Sequence, residues 1–245
     1  MASPPVFLTS DVHLGAVPPD TEKSFHRWLE YAAGEASEIF INGDLFDFWF
    51  EYRNSIPKGH TRTLELLTNV VGAGVPVSLM GGNHDWWGGT YLTDQVGVRF
   101  YRDPLVRDLA GRRTLIAHGD GLGRGDLGYR FLRWVLRSPL TVGAFRQLPT
   151  TLGDWLAERV SRTETRGKSG HRPSPVRAAE LRTWALEQLE RDPTLELIAI
   201  GHTHQPELLE PHPDRWILNS GDWVYRRTYV ILSEGESPRI LDWDR

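Results

Sequence analysis

Residues 38–47 read EIFINGDLFD, and this stretch decides how the rest of the chain is read. Glu38–Asn42 is a short run of β-branched and aromatic residues, and Gly43-Asp44 stops it. In open α/β sheets, ligands gather beyond the carboxyl ends of the strands, where Asp44 falls. The pattern recurs outward. Val6–Ser10 ends at Asp11, Val75–Met80 runs into GGNHD at 81–85, and Leu197–Ile200 leads into GHTH at 201–204. Between these runs, Thr21–Glu35 reads as a helix with Phe25, Trp28, Leu29 and Ala32 on one side. Thr61–Val71 reads as a second helix, ended by Gly72 and Gly74. Strand, crossover helix and strand make a βαβ sheet.

Further on, Leu105–Leu109 and Arg113–Ala117 read as a hairpin around Gly111-Arg112, with the second strand ending at His118. Pro175–Arg191 reads as a helix with proline in its first turn, and three β-rich segments finish the chain. Leu122–Arg172 differs, being helical, Arg-rich and studded with Trp134, Phe145 and Trp155. The expectation is one sandwich-like α/β domain over residues 1–245 with a helical insertion at about 122–172.

Composition narrows the chemistry. A chain of 245 residues with 40% hydrophobic and 24% charged residues has enough apolar material for a sizeable core. Zero cysteines exclude disulfides, thiolate metal sites, iron–sulfur clusters and cysteine nucleophiles. Any transition metal is therefore held by His, Asp, Glu or Asn. The first residues lack a signal-peptide pattern, and no run of apolar residues reaches the roughly 18 needed to span a bilayer, so a cytoplasmic protein is expected. A net charge of −4 excludes a globally basic nucleic-acid binder, and no obligate protein partner is evident. Yet residues 122–182 carry 12 Arg and Lys against 5 Asp and Glu, a local basic surface for an anionic partner or a solvated helical face.

Asp11-x-His13, Asp44, Asn83, His118 and His202-x-His204 each follow a strand-like run. The Asp-x-His spacing brings both side chains together where a strand relaxes into a loop, and neighbouring glycines permit close approach. Seven O and N donors suffice for two ions bridged by Asp44. Two metals about 3.5–4 Å apart clamp a phosphoryl group and activate a water between them. Taken singly, each residue reads as readily as a cap, and the force lies in the ordered set. His26, His60, His171 and His212 fall outside it and read as structural or exposed.

The motifs DVH, GDLFD, GNHD, HGD and GHTH, in this order, resemble the calcineurin-like metallophosphoesterase superfamily along nearly the whole chain. The resemblance implies a four-layer α/β/β/α sandwich and two divalent ions, Mn²⁺ first, with Fe or Zn²⁺ as alternatives. It implies that Asp11, His13, Asp44 and His204 hold one ion, and that Asp44, Asn83, His118 and His202 hold the other. It makes His84 the general acid or a transition-state stabiliser, oriented by Asp85.

Within that superfamily, FLTSDVHLG, GDLFDFW, GVPVSLMGGNHD and HGDGLGRGDLGYRFLRW are similar to the UDP-2,3-diacylglucosamine hydrolases of lipid A synthesis. The likeness implies hydrolysis of a lipid-linked nucleotide pyrophosphate to UMP and an acyl-sugar 1-phosphate, at the inner membrane surface, beneath a helical lid. Trp49, Phe50 and Tyr129 fall where that family lines its cleft. On a helix through residues 129–137, Arg130, Arg133 and Arg137 form one stripe opposite Phe131, Leu132, Val135 and Leu136. Such a helix meets acyl chains or a bilayer, or packs on the core. Trp134 belongs with the apolar contacts, and Arg166 and Lys168, with His171, either meet a diphosphate or form a solvated loop. One departure stands out: well-studied members carry GNRD where this chain has GNHD. Phosphoesterases acting on nucleotides, phosphoproteins, phosphomonoesters or phosphodiesters remain alternatives, as does a metal-bound scaffold without turnover.

Overall fold

The computed structural model describes residues 3–53, 55–124, 127–147 and 174–244. The elements run β1 (Val6–Thr9), α1 (Pro19–Glu35), β2 (Glu38–Asn42), α2 (Thr61–Gly72), β3 (Val77–Met80), a π-helical turn (Tyr91–Val96), β4 (Arg99–Tyr101), β5 (Leu105–Leu109) and β6 (Arg112–Ile116). They continue through α3 (Leu127–Leu136), α4 (Pro139–Phe145), α5 (Pro175–Arg191), β7 (Leu197–Ile200), β8 (Glu207–His212), β9 (Arg215–Asn219), β10 (Thr228–Leu232) and β11 (Arg239–Asp242). One sheet has the order β11-β10-β1-β2-β3-β4, and the other β5-β6-β7-β9-β8. Strands β1 to β4 are parallel, as crossover helices require, while β10 returns antiparallel to β1.

Strand alternation sorts the side chains into layers. Phe7, Ile39 and Ile41 pack with Phe25, Trp28 and Leu29 of α1 and Leu67 of α2. Their neighbours Val6, Leu8 and Phe40 turn the other way and meet Ile116, Leu197, Ala199 and Leu218 between the sheets. On the far side, Ile198, Ile200 and Ile217 receive Leu181, Ala185 and Leu189 of α5. The result is the expected α/β/β/α sandwich. Helix α1 starts cleanly because Pro19 occupies its first turn with Asp20 and Glu22 near the positive end. Trp28 is fully buried, and truncating it to alanine should cost about 3–5 kcal/mol.

Three local expectations need correction. The β5–β6 turn is Ala110-Gly111, with φ of 51° and 77°, and Arg112 already belongs to β6 opposite Leu109. Two left-handed residues match the twist of the paired strands, which a turn centred on Arg112 would not. The π-helical turn and β4 were not anticipated, because six and three residues are too short for a periodic signal. Four strands, not three segments, follow GHTH. Of the 122–172 insertion, residues 125–126 and 148–172 lie outside the described residues, and the described part holds α3 and α4.

Candidate metal centre

Every residue expected to hold metal sits at the carboxyl end of a strand. Asp11 and His13 follow β1, Asp44 follows β2, Asn83 follows β3, His118 follows β6, and His202 and His204 follow β7. The first four come from one sheet and the last three from the other. Five of them are left-handed: Asp11, His13 and Asp44 at φ 53°, His202 at 67° and His204 at 55°. A left-handed turn at both ends of an x-separated pair cancels strand alternation, so Asp11 and His13 point into one volume, as do His202 and His204. Each such residue costs about 1–3 kcal/mol and persists only where its surroundings fix it. Here the loops hold each other: Asp11 N–H donates to the Gly43 carbonyl at 3.1 Å, and His13 N–H to that of Asp44 at 3.0 Å.

Asp44 is the hub. Its Oδ2 lies 3.1 Å from His118 Nε2 and 3.8 Å from His13 Nε2, while Oδ1 accepts the His84 N–H at 2.9 Å. Asn83 Oδ1 is 3.3 Å from His118 Nε2, and Asp11 Oδ1 is 3.7 Å from His204 Nε2. Donor atoms fall within 4.8 Å of one another in the groups Asp11–His13–His204, His13–Asp44–His84 and Asp44–His118–His202. Hydrogen bonds at the far ring nitrogen fix the tautomers of two of these histidines. His118 gives its Nδ1–H to the Asn42 carbonyl at 2.8 Å, and His204 gives its own to Asp222 at 3.1 Å.

The residues fit divalent cations on two counts. Asp11 Oδ1 is buried and makes no hydrogen bond among the described residues. Burial pushes the Asp44 carboxyl up, but the rings of His118, His84 and His13 outweigh this and hold it well below the usual carboxylate range. Burial lowers His118, yet Asp44 and Asp11 raise it well above the usual imidazole value. Burial and the neighbouring His118 push His202 down to about 3, leaving it neutral and ready to coordinate. Acids and bases thus share one volume, and a divalent cation bound there would take the place of a proton on His118.

The residue that orients His84 is Asp47, not Asp85. His84 Nδ1–H donates to the Asp47 carbonyl at 2.7 Å, and the Asp47 carboxylate is 3.7 Å away. Asp85 instead accepts from the N–H groups of Gly82, Asp44, Leu45 and Phe46, so it shapes the loop that carries Asp44. Burial and the nearby Asp44 raise the Asp85 carboxyl to about 7 despite those bonds. The signal for Asp47 was available, as the closing residue of GDLFD.

The expected substrate contacts divide. Trp49 is a correction: it is fully buried, stacked on Phe46 at 4.5 Å, and lines no open cleft. Phe50 is also buried, and meets Phe145 of α4 edge-on at 4.7 Å. The half-buried aromatics beside the metal loops are Phe48, Trp86 and Trp87, which the sequence reading passed over. Arg133 turns inward: its Nε is 3.2 Å from Asp120 Oδ2. Arg137 joins it at 2.8 Å, donates to the Gly82 carbonyl at 3.1 Å and lies over Trp86, while the Tyr129 hydroxyl donates to Asp120 at 3.3 Å. Burial opposes ionisation of Asp120, but Arg137 and the neighbouring His118 and Arg133 keep its pKa below the usual value. The arginine stripe therefore fastens α3 to the HGD loop, and Arg130 alone of the three stays exposed. Phe131 and Trp134 face outward, at 65% and 69% exposure. Arg166 and Lys168 lie outside the described residues.

Two facing sheets that present carboxylates and imidazoles around a shared aspartate define a class, the metal-dependent phosphoesterases. The family model for calcineurin-like phosphoesterases matches residues 4–206, and the chain belongs to that family. Within it, the chain is similar to proteins named UDP-2,3-diacylglucosamine hydrolase. That of Porphyromonas gingivalis is 30% identical over 92% of this chain and 93% of its own. That of Ralstonia nicotianae is 30% identical over 95% and 91%, and that of Pseudomonas aeruginosa 31% identical over 89% and 90%.

Proposed function

We propose that the protein hydrolyses the pyrophosphate of UDP-2,3-diacylglucosamine to UMP and an acylated sugar 1-phosphate. The observation that carries this is the shared Asp44 between two donor groups, in a chain that matches the named hydrolases over nine-tenths of its length. In this reading Asp11, His13, Asp44 and His204 hold one ion, and Asp44, Asn83, His118 and His202 hold the other. The donors are all N and O, so Mn²⁺, Fe and Zn²⁺ compete by supply, and Mn²⁺ is the ion to try first. Bound there, the ions supply positive charge for the phosphoryl oxygens and make water a better nucleophile.

The side chains do the rest. His84 is anchored through Nδ1–H, so a protonated ring presents its second N–H to the leaving oxygen, a contribution of about 10²–10⁴-fold. Asp47 holds that ring in line, and Asp85 holds the Asp44 loop. Asp120 clamps Arg133 and Arg137, which keeps α3 against the HGD loop as one wall of the lid. Arg130 outside, with Arg166 and Lys168, is left to meet the diphosphate. Phe131, Leu132 and Trp134 are exposed on the helix that carries Arg130, with Leu140 exposed on α4, apolar surface suited to acyl chains and to peripheral contact with the inner membrane surface. Among the described residues no helix is long and apolar enough to cross a membrane.

The test is UMP release from UDP-2,3-diacylglucosamine in mixed micelles, compared with p-nitrophenyl phosphate, using Mn²⁺-loaded protein. The lipid substrate should be cut with much the higher kcat/KM. Hydrolysis of soluble esters alone would reassign the substrate, and no turnover of either by protein holding two ions would make it a scaffold.

A further inference from the structure

Among the described residues, the hydrogen bonds of the turn after β9, Ser220-Gly221-Asp222-Trp223, reach ligands of one ion position, Asp11 and His204. Asp222 is fully buried, and its two oxygens have separate duties. Oδ1 accepts the N–H groups of Tyr225 and Arg226 at 3.2 and 3.0 Å, while Oδ2 takes the His204 Nδ1–H at 3.1 Å. The same turn braces Asp11. Trp223 N–H donates to the Asp11 carbonyl at 3.1 Å, and Ser220 Oγ lies 2.7 Å from Ser10 Oγ, which donates to Asp11 Oδ2. Only glycine fits at 221, where φ is 80° and a Cβ would stand 2.2 Å from Thr228 Oγ1.

The other histidine of that position is backed in the same way, since His13 Nδ1 is 3.3 Å from Asp47 Oδ1. The second position is built from weaker parts. His118 leans on a neutral carbonyl, that of Asn42, and the place that Asp11 fills in the first group is taken by the uncharged amide of Asn83. A carboxylate behind an imidazole fixes its tautomer and makes it a stronger donor than a carbonyl does. We infer that the ion position built from Asp11, His13 and His204 is the tighter of the two, and that Asp222 is the positioning residue that makes it so through His204. This rests on the two-ion reading of the site.

Asp222→Asn tests it through the tautomer. The amide oxygen can keep the bonds from Tyr225 and Arg226, which aims its NH₂ at His204 Nδ1. A neutral imidazole that accepts there must carry its proton on Nε2, the nitrogen needed by the ion. Mn²⁺ binding is followed by titration calorimetry and electron paramagnetic resonance. Wild-type protein should bind two equivalents in order, and one equivalent should give isolated Mn²⁺ without spin-coupled pairs. Asp222→Asn should weaken the first step by about 10–100-fold and spare the second. His204→Ala should abolish the first step and His118→Ala should leave it, a comparison that decides the order even if Asp222→Asn does not fold. Fewer than two ions in the wild type would sink the two-ion reading itself. Coupled pairs at one equivalent, or a first step unmoved by Asp222→Asn in folded protein, would overturn the inference while leaving that reading intact.

Discussion

Gly82 is the most exacting position in the site, and Gly82→Ala measures how rigid the site is. A Cβ there would stand 2.1 Å from Asp44 Oδ1, 2.7 Å from the Asp44 amide nitrogen and 2.8 Å from its carboxyl carbon. Since ordinary contact begins at 3.4 Å, the carboxylate must retreat by about 1.3 Å. It cannot do so freely, because Asp44 Oδ1 accepts the His84 N–H and the Asp44 amide is held by Asp85. Metal–ligand distances tolerate only about ±0.2 Å, so both ion positions that share Asp44 should weaken together. A misplacement of about 1 Å near the reacting atoms costs roughly 10²-fold in rate, and kcat/KM should fall at least that far. Overpacking should cost about 1–3 kcal/mol, a modest drop in Tm that leaves the protein folded. Gly34→Ala is the control, as a Cβ there meets nothing within 4 Å. The assays are Mn²⁺ content after gel filtration and kcat/KM on a soluble phosphate ester. Two retained equivalents with near-normal kcat/KM would refute the rigid placement of Asp44.

Further outcomes follow from four other positions. His84→Ala should keep most of its metal yet turn over at least about 10²-fold more slowly, and an unchanged rate with a poor leaving group would remove His84 from the chemistry. Trp134→Ala should leave Tm and soluble-ester hydrolysis unchanged, since the side chain is 69% exposed, while lowering kcat/KM on the diacyl substrate by about 0.8 kcal/mol per lost methylene contact. Phe145→Ala, which empties the contact with Phe50, should lower Tm as well, and equal effects of the two variants would contradict this division. Burial holds His60 down to about 4, so its neutral form stabilises the fold above pH 6.5, and that contribution drains away as pH falls from 6.5 toward 4. By pH 5 the loss should be about 2 kcal/mol in urea titrations, and His60→Gln should flatten that slope.

The strands and core helices were legible because each carries a strong local period. In β2, Ile39 and Ile41 serve the helices while Phe40 serves the other sheet, so both faces are apolar and the run reads as a buried strand. The metal donors were legible for the same reason, as polar residues stranded just past such runs. Asp222 obeys that rule too, lying three residues beyond β9, but the rule was not carried past GHTH. Asp47 and Asp85 were harder, since which of two nearby carboxylates reaches the His84 ring depends on the path of a loop. The arginine stripe of α3 misled by composition: three cations on one face look like a surface, and only the long-range approach of Asp120 turned two of them inward.

The donors come from both sheets, and this has a consequence for substitutions far from the chemistry. Asn42 ties the sheets near the site, its amide donating to the carbonyls of Ala117 and Ala199 at 3.1 and 3.4 Å. Beyond that tie, the gap between donors is set by the thickness of the layer that Val6, Leu8, Phe40, Leu197 and Leu218 fill. A side chain made smaller or larger there changes the spacing of one half of the donors against the other. The same change beneath α1 loosens a helix and leaves the spacing alone. Evolution can therefore redecorate the outer layers cheaply, whereas the inner layer works as a gauge block, machined to the width of the ions.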